Sequence, residues 1–262
     1  AGQTHPRIYR DMSANPVVLG HEISMTVVKV GENLRDQYKA GDRFTIQADI
    51  FVNGIGYAYG YEIQGGLSQY NIIDQRVLNG DHGNYLLPVQ PTTGYAESAL
   101  TEPWACVIAA YQLKYRTGLK PKGITWIIGT PASRNVQYTI SAGFDHSSAP
   151  GRVFITNLPE KFAAWVRDRA KQLGVEMIEV PDLSTPPVEL VDDIILLGAD
   201  ADILEMVSPR LANFGILAIL DDKPFTRKVS IDIGRVHYNR WVYVGGPKPD
   251  IARAYSDVPV RS

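Results

Sequence analysis

Two kinds of apolar patterning divide this chain of 262 residues. Up to about residue 100, apolar residues come in short β-branched and aromatic runs, broken by turn residues about every ten positions. Ile23, Met25, Val27 and Val30 alternate with smaller or polar residues, which predicts a strand over 23–30. Gly41-Asp42-Arg43 reads as a tight turn feeding a strand that starts Phe44-Thr45-Ile46. Tyr57 to Tyr61 and Gly65-Gly66 punctuate a loop, and Leu67 to Ile73 resumes a strand. Short strands without long helices predict a small β-barrel or sandwich-like module.

After Glu102-Pro103-Trp104 the period changes. Ala105 to Lys114 is small-residue and apolar at helical spacing, closing at Gly118 and Pro121. Strands and helices then alternate. The predicted strands are Thr125 to Gly129, Arg152 to Thr156, Glu176 to Val180, Asp193 to Gly198, Gly215 to Leu220 and Trp241 to Val244. Helices are predicted over 133–142, from Pro159 to Leu173, and from about Ala201 to Ala212. In the second of these, Phe162, Trp165, Val166, Ala170 and Leu173 share one face. Apolar strands of this length between helices predict a parallel sheet covered on both faces, and right-handed crossovers make it doubly wound. The chain is an α/β protein.

Composition narrows the partners. The 26 basic and 28 acidic residues nearly cancel, so no polyanionic partner is implied and nucleic acid is excluded. No apolar run is long enough to span a bilayer. Residues Ala1 to Arg7 lack the apolar core of a signal peptide, and a single cysteine, Cys106, fits a reducing cytoplasm. Cys106 reads as a small buried residue; His82, His146 and His237 read as surface or core histidines.

Candidate chemistry begins at Gly20-His21-Glu22, at a strand entry. Neutral imidazole and carboxylate are both zinc ligands, so the pair suits one corner of a metal site. A histidine bonded to backbone beside a solvated Glu is the plain alternative. Ligands of a doubly wound sheet bind at the carboxyl ends of its strands. There the first strand runs into Gly129-Thr130-Pro131-Ala132-Ser133-Arg134, with only the first of the glycines of a dinucleotide turn. Ser133 could cap the following helix and Arg134 could offer a phosphate a cation. The second strand ends at Asn157, where an acidic residue would select NAD; Asn neither selects NAD nor excludes NADP.

Five segments occur in the order and spacing of the zinc-dependent medium-chain alcohol and polyol dehydrogenases, which the chain resembles over essentially its whole length. They are Pro16 to Glu22, Val30-Gly31, Gly41 to Phe44, Gly65 to Tyr70, and Glu102-Pro103-Trp104-Ala105. The later cues are Gly123 to Gly129, Asp192 to Ile195 and Leu211 to Leu217. The resemblance implies a GroES-like β-rich catalytic domain over 1–104, a Rossmann domain over 105–246, and the start of a return to the catalytic domain over 247–262. Both ends look truncated against the family pattern. It further implies one catalytic Zn2+, with His21 as ligand and Glu22 and Glu102 on or beside the metal. No structural zinc is implied, since Gln47 to Gln64 lacks cysteine. The family's remaining ligand, a cysteine, falls at Ala1 or upstream; if upstream, His5 lands near the proton-relay histidine. Implied with these are NAD or NADP, an alcohol or sugar-alcohol substrate, and a homodimer or homotetramer pairing near Trp241 to Val244. A relative that keeps the fold and serves as a non-catalytic binding protein is the other reading.

Overall fold

The computed structural model describes Asp11 and residues 13–112, 115–186 and 188–256. His5 lies outside them. The chain forms two compact units, Ala1–Leu113 and Lys114–Ser262.

In the first unit the elements are β1 (Met25–Thr26), β2 (Arg43–Ile46), β3 (Asp49–Val52), β4 (Ile55–Ala58), α1 (Gln75–Leu78), β5 (Leu86–Pro88), α2 (Tyr95–Ala99) and α3 (Thr101–Gln112). Strands β1, β2 and β5 make an antiparallel sheet, and β3 and β4 a separate hairpin. The hairpin turns at Asn53-Gly54, both at positive φ, the twist that suits a two-residue hairpin. Asp81 accepts both of their amide N–H groups at 2.8 Å. Ile23, Ile46, Ile50, Tyr59, Ile63, Val77, Tyr85 and Leu86 form the core.

Two expected strands change here. The strand over 23–30 keeps only Met25–Thr26 in register; Val27 bonds to the Gly41-Asp42 turn, and Val28 beyond it is exposed. Residues 67–73 form no strand. Leu67, Tyr70 and Ile72 are all exposed, Ser68 Oγ donates to Tyr70 O, and Asn71 Nδ2 donates to Gly65 O. Local side-chain bonds of this kind compete with a β-ladder.

The second unit runs β6 (Ile124–Gly129), β7 (Arg152–Thr156), α4 (Glu160–Leu173), β8 (Glu176–Glu179), β9 (Val191–Leu197), α5 (Ala201–Val207), β10 (Leu211–Leu220), α6 (Ile233–Tyr238), β11 (Val242–Gly246) and α7 (Ile251–Ser256). The strands form one parallel sheet in the order β11-β10-β9-β6-β7-β8. Alternation along β6 fills both faces: Ile127 joins Val153, Phe162 and Val166 on one side, while Trp126 and Ile128 join Phe154, Ile194 and Leu204 on the other. A strand buried on both faces reads as the continuous apolar run seen in the sequence. Pro159 stands at the start of α4, and Gly174 ends it in the left-handed conformation.

The helix expected over 133–142 does not form. After Gly129 the chain makes one five-residue 3₁₀ turn, Pro131–Asn135, and then irregular backbone. Tyr138 and Ile140 are buried while Gln137 and Thr139 are exposed, a period of two, and Thr139 bridges to Asp250. The helix expected to reach Ala212 stops at Val207. Pro209 closes a 3₁₀ turn, and Leu211 already pairs with Val191. Residues 251–256, assigned by the resemblance to the return toward the first domain, bury Ile251, Ala254 and Tyr255 in the core of the second unit.

Within β9, Asp193 is fully buried. Arg116 donates to both its oxygens at 3.0–3.2 Å, and the Lys120 amide and Tyr255 hydroxyl each donate at 2.9 Å. Its neighbour Asp192 takes the Lys120 ammonium at 2.6 Å and the Ile124 amide at 2.9 Å. Two adjacent carboxylates thus fasten the segment before β6 and helix α7 to the central strand. Among the described residues no helix is long and apolar enough to cross a membrane.

Candidate functional site

His21 is held by the segment before it. Gly20 has φ +95°, a conformation that favours glycine. The Gly65, Gly66 and Leu67 amides donate to the Val18, Gly20 and Leu19 carbonyls at 2.7–2.9 Å, and Gln64 Oε1 accepts the Val18 amide at 2.7 Å. This close backbone seam explains the spacing between Gly20 and Gly65-Gly66: a side chain on Gly65 would meet the Gly20 and Leu19 carbonyl oxygens at 2.5–2.6 Å.

Glu102 arrives from the other direction, in the first turn of α3. The helix starts where α2 ends, and at the start of α2 the Glu97 carboxylate accepts the Gly94 amide at 2.8 Å. The result brings three residues together. His21 Nε2 lies 3.7 Å from Glu22 Oε1 and 3.9 Å from Glu102 Oε2, and one donor atom from each of the three lies within 4.8 Å of the others. The His21 and Glu102 side chains are about a quarter exposed and Glu22 about half. Tyr61 stands beside the imidazole, ring centres 5.9 Å apart, while Tyr59 of the same cluster is wholly buried.

One imidazole nitrogen and two carboxylates suit a borderline divalent cation such as zinc. Ligands at ~2.0–2.1 Å from a tetrahedral ion stand about 3.4 Å apart. The 3.7 and 3.9 Å separations exceed that by a few tenths, as donors not drawn onto an ion would. The residues fit the metal.

One further residue belongs beside them. Cys106 is exposed, where the sequence reading buried it. Its thiol donates to Glu102 Oε1 at 3.3 Å, one helical turn along α3. The signal was present as an i, i+4 spacing in a helical segment.

The strand-end turn is built differently from a glycine cradle. A side chain on Gly129 would strike the Asn157 carbonyl oxygen at 2.1 Å, so the turn is sealed by its neighbour rather than opened toward a phosphate. The Thr130 amide and hydroxyl donate to Leu197 O, and the Ser133 amide and hydroxyl to Thr130 O. Ser133 therefore caps no helix, and Pro131 has no N–H to give. A diphosphate bound at a helix N-terminus does not fit this turn. Exposed at the same strand ends are Pro131, Ala132, Arg134 and Asn157, the last with φ +52°.

No family profile matches the chain. Individual relatives do. Mannitol-1-phosphate 5-dehydrogenase of Aliivibrio fischeri is 30% identical over 93% of this chain and 63% of its own length. The uncharacterized protein YggP of Escherichia coli is 30% identical over 93% of this chain and 62% of its own. L-sorbose 1-phosphate reductase of Klebsiella pneumoniae is 24% identical over 97% of this chain and 66% of its own. The chain thus spans a little under two thirds of the relatives it matches.

Proposed function

We propose that the chain is a member of the medium-chain alcohol and polyol dehydrogenases and a zinc-dependent oxidoreductase of a sugar alcohol or related hydroxyl compound, a reading supported by its relatives. The observation that carries this reading is the convergence of His21, Glu22 and Glu102 from distant parts of the first unit. His21 Nε2 and Glu102 Oε2 would hold the ion, and Glu22, the most exposed of the three, would accept the proton of the substrate hydroxyl. Tyr61 forms a wall beside the imidazole that limits how the substrate enters. A zinc ion there supplies Lewis-acid polarisation of the substrate oxygen, and the hydride is exchanged with NAD or NADP. Arg134 and Asn157, exposed at the strand ends, would be the side chains through which the second unit meets that cofactor. A hydroxyl-rich substrate agrees with the names of two relatives, which act on mannitol 1-phosphate and L-sorbose 1-phosphate.

The closed turn at Gly129 favours a second reading, a family member that keeps the sheet and binds no dinucleotide, acting as a binding protein. Metal analysis with a titration of NADH and NADPH separates the two. Stoichiometric zinc with quenching of Trp fluorescence by either nucleotide supports the oxidoreductase. Zinc without quenching supports the binding protein, and the absence of both signals overturns the oxidoreductase.

A further inference from the structure

We propose that Ser24, Ser98 and Arg43 form a positioning clamp that sets how far His21 stands from Glu102; the proposal rests on the metal reading above. Ser24 lies two residues past Glu22, and Ser98 lies in α2, four residues before Glu102 in α3. Their hydroxyl oxygens are 2.7 Å apart, so the two sides of the site are tied at one point. Ser98 is buried, with Gly94 O and Tyr95 O also 3.0–3.1 Å from its hydroxyl. Each hydroxyl carries one proton. With Ser98 donating to Gly94 O, Ser24 donates to Ser98 and is left to accept from Arg43. Arg43, on β2, supplies that N–H from Nη2 at 3.5 Å, while its Nη1 donates to Thr93 O at 2.5 Å.

The Arg43 guanidinium carbon lies 4.0 Å over the Tyr95 ring, and the Tyr95 hydroxyl stands 3.0 Å from Thr26 Oγ1. Arg43 Nε is buried with no hydrogen-bond partner among the described residues. That is a cost the fold carries while the two Nη groups bridge to Ser24 and to the start of α2. Thr45 Oγ1 donates to Ile23 O at 2.9 Å, which fixes the backbone between Glu22 and Ser24. None of the three clamp residues belongs to the His21, Glu22 and Glu102 donor group. They act on it by holding the two chain segments that carry the donors. A site binds its ion more tightly when surrounding contacts already hold the ligands near their bound positions. Loosening the clamp lets His21 and Glu102 part, so the loss falls on metal affinity.

Zn2+ affinity of the parent, Ser24→Ala, Ser98→Ala and the double variant is measured by competition with a chromogenic chelator. Urea unfolding of the metal-free chains reads the structural cost separately. Each single variant is expected to bind Zn2+ about tenfold more weakly, the lower end of what losing an outer partner of a metal costs. The double variant should be no weaker than the weaker single one, because both changes remove the same contact. Ser24→Thr keeps the hydroxyl and should retain an affinity near that of the parent. Val77→Ala opens the core of the same unit without touching the clamp's hydrogen bonds; it should lose stability and keep the parent affinity. Parent affinity in both single variants, or an equal loss in Ser24→Thr or Val77→Ala, overturns the clamp and leaves the metal site standing. A parent that binds no Zn2+ overturns both.

Discussion

His21 Nε2 and Glu102 Oε2 stand 3.9 Å apart, though one follows an early glycine turn and the other opens a helix at the far end of the first unit. Neither residue alone distinguishes a ligand from a polar surface group. Their meeting requires the Gly20–Gly65 backbone seam on one side and the α2–α3 junction on the other.

His21→Ala and Glu102→Gln are each expected to weaken zinc binding at least about tenfold to hundredfold. Both side chains are partly exposed, so the metal-free variants should unfold within about 0.5 kcal/mol of the metal-free parent. Metal content after dialysis and urea unfolding check the two halves. Retained stoichiometric zinc in both variants would remove these residues from the ligand set.

Asn157→Asp is expected to turn the cofactor preference toward NADH. A carboxylate at the end of β7 accepts from ribose hydroxyls and repels the additional phosphate of NADPH. Arg134→Ala should weaken both nucleotides and flatten the salt dependence of their binding, because a screened cation contact is lost. Fluorescence titrations at two ionic strengths read both effects; an unchanged NADH to NADPH ratio in Asn157→Asp would place the ribose elsewhere.

Much of this was legible along the chain, and the failures have physical causes. The apolar runs at 124–129 and 191–197 announced strands because a doubly covered strand has no polar face to blur the signal. Asn53-Gly54 carried a hairpin signal that the surrounding glycines and tyrosines masked. Residues 133–142 suggested a helix by position in an alternating pattern, but Tyr138, Ile140 and their exposed neighbours carry a strand-like period. Cys106 reads by composition as a small apolar residue, while its i, i+4 spacing from Glu102 in a helical segment is what places the two side chains together.

Glu205 offers a pH test. The Arg227 guanidinium and the Ser230 amide hold its carboxyl down at about 2. The folded value lies below the unfolded one, so its contribution is present above the ordinary Glu range and lost as pH falls toward about 2. Carboxyl chemical shifts through an acid titration should place the midpoint well below that of an unperturbed Glu. Arg227→Leu should return it toward the ordinary range; a midpoint unmoved by that substitution would mean the pair does not hold in solution.

Gly129→Ala tests the sealed strand end. The added methyl would sit 2.1 Å from the Asn157 carbonyl oxygen and 2.8 Å from its carbon, and backbone cannot swing aside as a side chain does. Overpacking of this kind costs about 1–3 kcal/mol or more. Chemical denaturation should show the loss. A neutral substitution would mean that β6 and β7 part more readily at this end than their pairing implies.

The most demanding prediction concerns Asp193, which carries a buried carboxylate between Arg116 and Tyr255. Tyr255→Phe keeps the ring in the core and removes one donor to that carboxylate, an expected cost of about 1.5–3 kcal/mol. Arg116→Met removes the compensating charge and should cost more, about 3–5 kcal/mol, because an ionised carboxylate is left buried without its cation. Burial pushes the Asp193 carboxyl above the usual range while Arg116 pulls it down. With the folded value raised, the stabilisation linked to its proton is complete below the unfolded range and is lost as pH rises through the folded value. Without Arg116 the carboxyl rises further, so the Arg116→Met penalty should be larger near pH 7 than near pH 4, by about 1.4 kcal/mol for each tenfold change in proton affinity. Urea unfolding of parent and variant at both pH values gives the comparison. A penalty independent of pH would show that Arg116 acts through packing on this segment and not through its charge on Asp193.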